Sequence, residues 1–389
     1  MKISKKISNY DHSNKCYVCH EDISERHFHY QKMCKKCGEI NYKKRTETAD
    51  LSNYIAVITG GRIKIGYHAS LKLLRSGAFV IITTRFPIDA VIRYSNENDF
   101  DNWRSRLKIY KIDFRNIFQV EEFINFINQK LPYLDILINN AAQTIQRPKE
   151  YYDNILSLEE SESFSLPEYL KKLVINTIDD FDFSSYQKRI DGFVQVNDDS
   201  KTHTLPDKVQ DLFPIGKHDE EGLQLDLRHN NSWISKAEDI STIEMLEVQL
   251  INVTAPFLFC SRFKNIMKKS PNPKRFIVNV SAMEGKFNRV NKNAFHPHTN
   301  MAKAALNMLT RTSAQDYKKD GIYMNSVDTG WITDENPHYI RLKNKKKSIT
   351  PPLDSIDGAA RVCDPIIHGL NTGNFSSGQY FKDYHLTSW

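Results

Sequence analysis

One stretch limits what this 389-residue chain can fold into more than any other. Within Asn53–Gly66, the apolar run Ile55–Ile58 leads into the glycine turn Thr59–Gly61, and a helical pattern follows Gly66. An apolar run of this kind is typical of a buried parallel strand. The turn lets backbone N–H groups approach an anion, and the helix N-terminus adds about half a positive charge. The stretch therefore predicts a phosphate-binding loop at the edge of a parallel sheet.

Strand-like and helix-like segments alternate along most of the remaining chain. The further predicted strands are Ala78–Thr84, Leu107–Ile112, Leu134–Ile138, Arg275–Val280, Ile322–Val327 and Gln379–Phe381. The later predicted helices are Ala90–Tyr94, Val120–Gln129, Ile243–Lys268, Thr299–Lys318 and Ser355–His368. Seven strands alternating with helices predict an α/β fold of the Rossmann type, with a doubly wound parallel sheet.

The alternation stops between residues 143 and 240, which are charged and rich in turn signals. This part includes a tyrosine–acid region at Tyr151–Glu162 and a short helical pattern at Leu166–Ile178. We interpret it as a large insertion after the fourth strand, because long insertions at that edge of a sheet usually cover the ligand cleft. A disordered loop is the alternative interpretation.

Four of the six cysteines form two Cys-x-x-Cys pairs near the N-terminus, Cys16 with Cys19 and Cys34 with Cys37. Zinc prefers four thiolates in a tetrahedron, and each pair supplies two from one tight turn. The sequence predicts a small zinc module and linker over residues 1–50, with Glu39–Ser52 as the linker, and a main domain over residues 51–389. Redox-active thiols are the alternative, and the intervening His20, His27 and His29 could compete as ligands.

Composition limits the classes of partner. The net charge of +7 is mild and fits an anionic small ligand such as a nucleotide, and weak nucleic-acid binding through the zinc module is a minor, unlikely alternative. We find neither an uninterrupted run of about 18 apolar residues nor an apolar segment of the signal-peptide type, so the sequence predicts a cytoplasmic protein without membrane association. The clustering of the cysteines also favours a reducing compartment.

Several motifs resemble those of the short-chain dehydrogenase/reductase family, and they occur in the family's order over about residues 53–142 and 243–389. Thr59–Gly66 resembles the family's Thr-Gly-x-x-x-Gly-x-Gly with Lys64 at the middle glycine, and Asn139–Ala142 resembles Asn-Asn-Ala-Gly. The resemblance implies a nicotinamide cofactor, with Asp113 at the adenine and Thr333 at the nicotinamide amide. The resemblance and the positive charges near the loop together predict the cofactor-binding residues. These are Thr59, Gly60, Arg62, Lys64, Ile65, Gly66, Arg85, Asp113, Asn140, Ala141, Lys303, Gly330 and Thr333.

The residues after the second strand favour NADP over NAD. A carboxylate there would accept from the 2′-hydroxyl of NAD, whereas the 2′-phosphate of NADP requires cations. The chain has Thr83, Thr84 and Arg85 at this point and no acid, while Arg62 and Lys64 add two cations to the phosphate loop. Arginine can bind a phosphate through two N–H groups. A surface position for Arg85 is the alternative.

The catalytic positions depart from the family pattern. The family's Asn–Ser–Tyr–Lys set corresponds here to Asn252, Ala282, Thr299 and Lys303, and Ser281 stands one position before the expected serine. A threonine hydroxyl lacks the acidity of a phenol, so another group must supply the proton if the reaction occurs. The predicted catalytic residues are Lys303, Asn252, Thr299, Ser281 and His298. His296, Tyr151 and Tyr152 are further candidate proton donors, and both histidines could equally be surface or capping residues.

Three functions remain open from the sequence. The first is an NADP-dependent oxidoreductase with a non-standard proton donor. The second is a catalytically inactive member of the family that acts as a nucleotide-sensing scaffold, and the third is a lyase or isomerase that uses the same cleft. The zinc module is expected to contact either a protein partner or its own main domain. The resemblance also implies a homo-oligomer that pairs through the helices Ile243–Lys268 and Thr299–Lys318.

Overall fold

The computed structural model describes residues 14–175, 209–219, 222–289 and 292–389 of the chain. Its centre is a nine-stranded sheet with the order β5-β3-β2-β1-β4-β6-β7-β8-β9. All neighbouring strands are parallel except the last pair, which is antiparallel. The strands are β1 (Ile55–Thr59), β2 (Phe79–Thr84), β3 (Leu107–Lys111), β4 (Ile136–Asn139), β5 (Val174–Ile175), β6 (Arg275–Ser281), β7 (Ile322–Asp328), β8 (Tyr380–Lys382) and β9 (His385–Thr387). The predicted doubly wound sheet is confirmed.

Helices cover both faces of this sheet. The α-helices of the described residues are α1 (Lys35–Thr46), α2 (Lys64–Arg75), α3 (Pro87–Ser95), α4 (Phe100–Trp103), α5 (Ile117–Lys130), α6 (Asp153–Ser165), α7 (Glu168–Lys171), α8 (Val209–Leu212), α9 (Thr242–Gln249), α10 (Ala255–Lys268), α11 (Pro297–Lys319), α12 (His338–Lys346) and α13 (Ser355–Thr372). One apolar core lies between the sheet and α2, α3 and α13. A second core lies on the opposite face, beneath α5, α10 and α11. The strands are therefore buried on both sides, which explains why they are continuous apolar runs.

The order of the central strands fixes the position of the ligand cleft. The chain proceeds outward from β1 to β2 and β3, and then returns to place β4 on the other side of β1. The loops after β1 and β4 consequently diverge at the carboxyl edge of the sheet. Ligands of open α/β sheets bind in the crevice at such a switch point.

The insertion contains more regular structure than its sequence indicates. It forms α6 and α7 and then adds β5 to the free edge of β3, where Ile109 and Tyr110 pair with Val174 and Ile175. The helix predicted over Leu166–Ile178 is therefore correct only at Glu168–Lys171, and its last three residues lie outside the described part. An exposed edge strand has unpaired N–H and C=O groups, and this pairing satisfies some of them at β3.

The predicted linker Glu39–Ser52 is wrong over its first half, because Lys35–Thr46 is helix α1 and packs on α13. Lys44 forms an ion pair with Asp364 at 2.7 Å, and Arg45 contacts Asp354 and Asp357 at 2.7 and 2.9 Å. These cations lie in the last turn of α1, where the helix dipole favours positive charge. The zinc module therefore contacts its own main domain, which is one of the two contacts that the sequence left open.

Among the residues that the structure describes, one helical run has the length and composition that could cross a membrane. It extends over Thr242–Lys268, and 44% of its most apolar 18 residues are buried. A five-residue π-helical turn, Leu250–Thr254, divides it into α9 and α10, and Phe259 and Phe263 of α10 lie in the sheet core. A core helix has the same composition, so this observation does not favour a membrane. A cytoplasmic location stays a prediction.

Candidate active site

A cleft of about 960 Å³ lies at the carboxyl ends of the central strands. Its walls come from the loops after β1, β2, β3, β4, β6 and β7, from the start of α11, from the insertion and from the zinc module. The cleft borders every predicted cofactor-binding residue except Thr59. Thr59 lies beneath the glycine loop and stabilises it through hydrogen bonds.

Hydrogen bonds connect the glycine loop with the loop after β4. The Thr59 hydroxyl oxygen accepts hydrogen bonds from the backbone N–H groups of Asn140 and Ala141 at 2.9 and 3.0 Å. The Asn140 amide donates back to the carbonyl oxygens of Thr59 and Gly60 at 3.0 and 3.1 Å. A Cβ atom on Gly66 would lie 2.1 Å from the Gly60 oxygen, so only glycine fits there. The loop is thus a preformed cradle for a phosphate.

Lys64 occupies the position of the family's middle glycine at a strained backbone angle. Its φ is 53°, in the left-handed region that glycine adopts most easily. Its ammonium lies 3.8 Å from Glu335, on the loop after β7. Burial alone would raise the pKa of Glu335, but Lys64 and a hydrogen bond from Thr333 lower it. Lys64 therefore connects the phosphate loop with the opposite wall of the cleft.

The two arginines predicted to bind a 2′-phosphate differ in their partners. Arg62 forms a 2.6 Å ion pair with Asp89, which neutralises much of its charge. Arg85 lies against the rings of Phe86 and Tyr152, at 5.2 and 4.6 Å from their centroids, and donates to the Tyr152 hydroxyl. No carboxylate pairs with Arg85 in the part of the chain that the structure describes. Arg85 therefore keeps its charge available for a ligand, and the two rings orient it.

Asp113 borders the cleft at the end of β3, and its carboxylate is already engaged. Arg115 donates to both oxygens of Asp113 at distances of 2.8 to 3.2 Å. Burial alone would raise the pKa of Asp113, but the hydrogen bonds and charge of Arg115 lower it. An adenine at this position would therefore meet an Asp–Arg pair and not a free carboxylate.

Lys303 and Thr299 share one face of α11 and both border the cleft. The Lys303 ammonium is buried and donates to the carbonyl oxygen of Val280 at 2.8 Å. Burial lowers the pKa of Lys303 from 10.5 to about 8. The Thr299 hydroxyl is buried and has no hydrogen-bond partner among the described residues. A lysine with a pKa near neutrality next to a free hydroxyl is an arrangement that can donate a proton to a substrate oxygen.

Asn252 and Ser281 lie at either side of this pair. Asn252 lies within the π-helical turn, a feature often found at functional sites. Its side-chain amide forms two hydrogen bonds with the backbone of Gln143, at 2.8 and 3.0 Å, and it does not border the cleft. Ser281 ends β6, and both it and Ala282 border the cleft. Asn252 thus fixes the loop after β4 and does not itself contact a ligand.

The two histidine candidates lie outside the cleft, which corrects the prediction for both. His298 is buried and faces Glu244, with 3.2 Å between Nε2 and Oε1. The ring of His296 is stacked on Trp233 at 4.0 Å, and its Nδ1 lies 3.0 Å from the side-chain oxygen of Asn300. Residue spacing could not reveal these partners, because Glu244 and Trp233 come from distant parts of the chain.

The insertion supplies one wall of the cleft. Tyr151, Tyr152, Arg147 and Trp233 all border the cavity. Tyr152 lies over Arg85 at the end of the cleft formed by β2 and β3, on the other side of the phosphate loop from Lys303. Tyr151 is packed beneath the Arg147 guanidinium, 4.8 Å from its ring centroid. Tyr152 therefore contacts Arg85, and Tyr151 contacts Arg147.

Several titratable residues that border the cleft are absent from the sequence predictions, and Asp328, Glu284 and Tyr17 are among them. Asp328 ends β7 one residue beyond the predicted strand, and burial raises its pKa. Glu284 follows β6 and forms an ion pair with Arg289 at 2.8 Å. Tyr17 comes from the zinc module. The position of Asp328 immediately after an apolar run was a usable signal, whereas no sequence pattern places Tyr17 in the cleft.

The four N-terminal cysteines form a compact cluster. Their sulfur atoms lie within 4.8 Å of one another. Burial alone would raise the pKa of Cys16, but backbone hydrogen bonds at Cys19, Cys34 and Val18 lower it to about 7, whereas burial and the neighbouring thiols raise the pKa of Cys37. His27 is not a ligand, because its Nδ1 accepts from backbone N–H groups and its Nε2 faces Glu39. The cluster fits the thiolate tetrahedron of a structural zinc site.

The sheet order and the glycine loop after β1 define an α/β fold of the Rossmann class. Sequence comparison agrees with this fold class and also identifies the family. The family profile described as short chain dehydrogenase matches residues 54–159, and a profile described as Enoyl-(Acyl carrier protein) reductase matches residues 218–349. The chain belongs to the short-chain dehydrogenase/reductase family.

Individual relatives agree with this assignment. The uncharacterized protein R665 of Acanthamoeba polyphaga mimivirus is 32% identical over 385 residues, which is 95% of this chain and 75% of that protein. A (+)-neomenthol dehydrogenase of Capsicum annuum is 33% identical over 94 residues, 23% of this chain and 29% of that enzyme.

Solved structures share the fold at low identity. A short-chain dehydrogenase from Burkholderia cenocepacia in complex with NADP has a TM-score of 0.52 at 16% identity, covering 85% of this chain and 96% of that one. A dehydrogenase/reductase from Sinorhizobium meliloti has a TM-score of 0.51 at 17% identity, covering 87% and 96%.

Proposed function

We propose that this protein is an NADP-dependent oxidoreductase that reduces a carbonyl group or oxidises the corresponding alcohol. The observation that carries the proposal is the buried Lys303, which has a pKa of about 8 beside the cradle and the free Arg85. The cradle fits a cofactor pyrophosphate, because the glycine turn after β1 leads directly into the N-terminus of α2, and Gly66 has no Cβ that would collide with the Gly60 oxygen. Arg85 fits the additional phosphate of NADP. When bound, the cofactor supplies or accepts the hydride.

Lys303 takes the role of proton donor in this proposal. In the reductive direction its ammonium transfers a proton to the carbonyl oxygen as the carbonyl carbon receives the hydride, and solvent then returns a proton to the amine. The Thr299 hydroxyl lies on the same helix face and orients the substrate oxygen. A general acid is most effective when its pKa is close to the working pH, which is true of Lys303 and not of threonine. The substrate beyond its carbonyl or hydroxyl group stays open.

Cofactor titration tests the binding part of this proposal. We expect NADPH to bind more tightly than NADH, and Arg85→Ser to raise the Kd for NADPH about 10- to 100-fold while leaving NADH within about twofold. Arg104→Ser is the matched control, since Arg104 lies on the surface and pairs with Asp101. Equal loss of both cofactors in Arg85→Ser would show that Arg85 does not recognise the 2′-phosphate.

Turnover with a panel of carbonyl substrates tests the catalytic part. We expect Lys303→Arg to bind NADPH but to lose about 100-fold or more in kcat, because arginine cannot release a proton near neutral pH. Arg104→Ser is expected to retain full activity. Unchanged kcat in Lys303→Arg would exclude lysine as the proton donor.

A catalytically inactive, nucleotide-sensing scaffold is the second candidate. The presence of Ala282 and Thr299 at the family's serine and tyrosine positions favours it. Tight NADPH binding without turnover on any substrate would support it. Activity gained by the double substitution Ala282→Ser and Thr299→Tyr would then identify a silenced site.

We also propose a structural Zn²⁺ ion at Cys16, Cys19, Cys34 and Cys37. Elemental analysis of purified protein is expected to give one zinc per chain, and Cys37→Ser is expected to lose it. A chain purified without metal that binds no added Zn²⁺ would contradict this.

We further propose that the chain forms a homo-oligomer through its long helices, where Leu246, Phe257, Met301 and Met308 are exposed. Sedimentation of Met308→Glu beside the unmodified protein tests this. A monomer in both samples would contradict the proposal.

A further inference from the structure

The turn between Cys16 and Cys19, the first Cys-x-x-Cys knuckle of the cysteine cluster, also forms part of the cleft. Tyr17 lies between the ligands Cys16 and Cys19, and it is the residue of the zinc module that borders the cavity. Its hydroxyl oxygen accepts a 2.8 Å hydrogen bond from the backbone N–H of Trp331. The side chain of Tyr17 thus connects the cysteine cluster directly with the loop after β7.

Gly330 lets this contact form. Its φ is 82°, and a Cβ added to it would lie 2.5 Å from Leu353 and 3.2 Å from the Tyr17 hydroxyl. The loop therefore fits closely between Tyr17 and Leu353. A displaced Tyr17 would leave the Trp331 N–H without this acceptor.

Two further contacts hold the same segment. The Lys32 ammonium donates to the Thr350 hydroxyl at 3.0 Å and to the Ser348 carbonyl oxygen at 3.2 Å. The small apolar core of the zinc module includes Leu353, and Ile332 packs against it. A module of this size has little core of its own, so these contacts with residues 329–353 stabilise its docked position together with the ion pairs between α1 and α13.

The first part of this segment, residues 329–336, also forms a wall of the active-site cleft. Residues 329–336 all border it, and they include Gly330 and Thr333, predicted to bind the cofactor, and Glu335, which pairs with Lys64. A displacement of this loop therefore changes the site that receives the nicotinamide half of the cofactor.

We propose that the metal-bound knuckle, through Tyr17, positions the loop of residues 329–336, so that Zn²⁺ occupancy sets the affinity of the cleft for NADP(H). Tyr17 is a positioning residue in this account, and the four cysteines act on the cleft through it. The inference rests on the proposed function for its ligand, but it makes a separate structural claim. Release of Zn²⁺ loosens residues 329–353 whether or not a cofactor is present.

The experiment compares wild-type protein, Tyr17→Phe and the control Tyr42→Phe. Tyr42 is on α1 of the same module and does not border the cleft. For each protein we would measure zinc content, the Kd for NADPH and the hydrogen exchange of residues 329–353. Tyr17→Phe keeps the ring and the ligands, so we expect unchanged zinc content, about a fivefold higher Kd and faster exchange at Trp331. Tyr42→Phe is expected to match the wild type.

Removal of Zn²⁺ from the wild-type protein with a chelator tests the metal itself. We expect faster exchange across residues 329–353, a weaker Kd for NADPH and recovery of both on adding Zn²⁺. Circular dichroism would confirm that the main domain stays folded. An unchanged Kd and unchanged exchange after zinc loss, or in Tyr17→Phe, would overturn the coupling. Absence of NADPH binding by zinc-loaded wild type would instead reject the proposed function, and the exchange experiment would still decide the structural claim.

Discussion

Replacing Lys303 by methionine is expected to make the stability of the protein less dependent on pH. Burial lowers the pKa of Lys303 from 10.5 to about 8, so at pH 7 the folded state holds a buried ammonium at a cost of about 3 kcal/mol. Between pH 8 and 10.5 the unfolded chain keeps a proton that the folded chain has released. The stability contributed by this group therefore rises with pH, and at pH 10 the cost is below about 1 kcal/mol.

The variant removes this cost and also the hydrogen bond to Val280. A hydrogen bond of this kind contributes about 1 kcal/mol, so Lys303→Met is expected to be about 2 kcal/mol more stable than wild type at pH 7. At pH 10 the two proteins are expected to have nearly equal stability. The difference in the free energy of unfolding should thus shrink by about 2.5 kcal/mol over this range.

Urea denaturation at pH 7 and pH 10 measures both differences without cofactor. Comparison of variant with wild type at each pH cancels the other titrating groups. Lys343→Met is the control, because Lys343 is exposed and its replacement should change stability by less than about 0.5 kcal/mol at either pH. A Lys303→Met effect that stays constant with pH would refute the lowered pKa, and with it the argument for Lys303 as the proton donor.

Three further substitutions test other parts of the structure. Gly66→Ala is expected to abolish NADPH binding in a titration while leaving the fold intact by circular dichroism, because its Cβ would lie 2.1 Å from the Gly60 oxygen. Lys64→Gly is expected to raise the free energy of unfolding by about 1 kcal/mol, since it relieves a left-handed residue at φ 53°, and a decrease in urea resistance would contradict this. Arg361→Met is expected to destabilise the protein by about 3 to 5 kcal/mol in the same assay, because it removes the buried partner of Asp383 at 2.9 Å and leaves that carboxylate only Lys382 at 3.8 Å. A change below about 1 kcal/mol would contradict that.

The sheet was predictable because its signal is local. Each central strand is an apolar run that begins and ends within two residues of its predicted bounds, and the order of glycine and asparagine motifs identified the family. β5 could not be predicted, because Val174 and Ile175 form a strand only where the edge of β3 is available to them. Helix α1 could not be predicted either, because its charged sequence lacks an apolar stripe. Ion pairs with α13, which lies far away in the sequence, stabilise it.

The binding half of the candidate site was more predictable than its chemistry. Residues at the ends of strands, such as Arg85 and Asp113, must reach the carboxyl edge of the sheet. The sequence could not show that Asp89 would neutralise Arg62, nor that burial would bring the pKa of Lys303 to about 8. The ion pair and the burial both depend on how close helices and strands lie in the folded protein, and the spacing of residues along the chain does not reveal this.

The contact between Asn41 and Arg361 also bears on how the protein is made. The Arg361 guanidinium donates to the Asn41 side chain at 2.6 Å, across a sequence separation of 320 residues. At ribosomal rates of about 5 to 20 residues per second, Arg361 emerges roughly 15 to 65 seconds after Asn41. All four cysteines precede Asn41, so the metal site is complete as a unit before the surface it docks on has been synthesised. With the proposed zinc site, metal uptake by the cysteines and docking of the module on α13 are therefore separate events in the life of the nascent chain, and zinc shortage is expected to act on the earlier one.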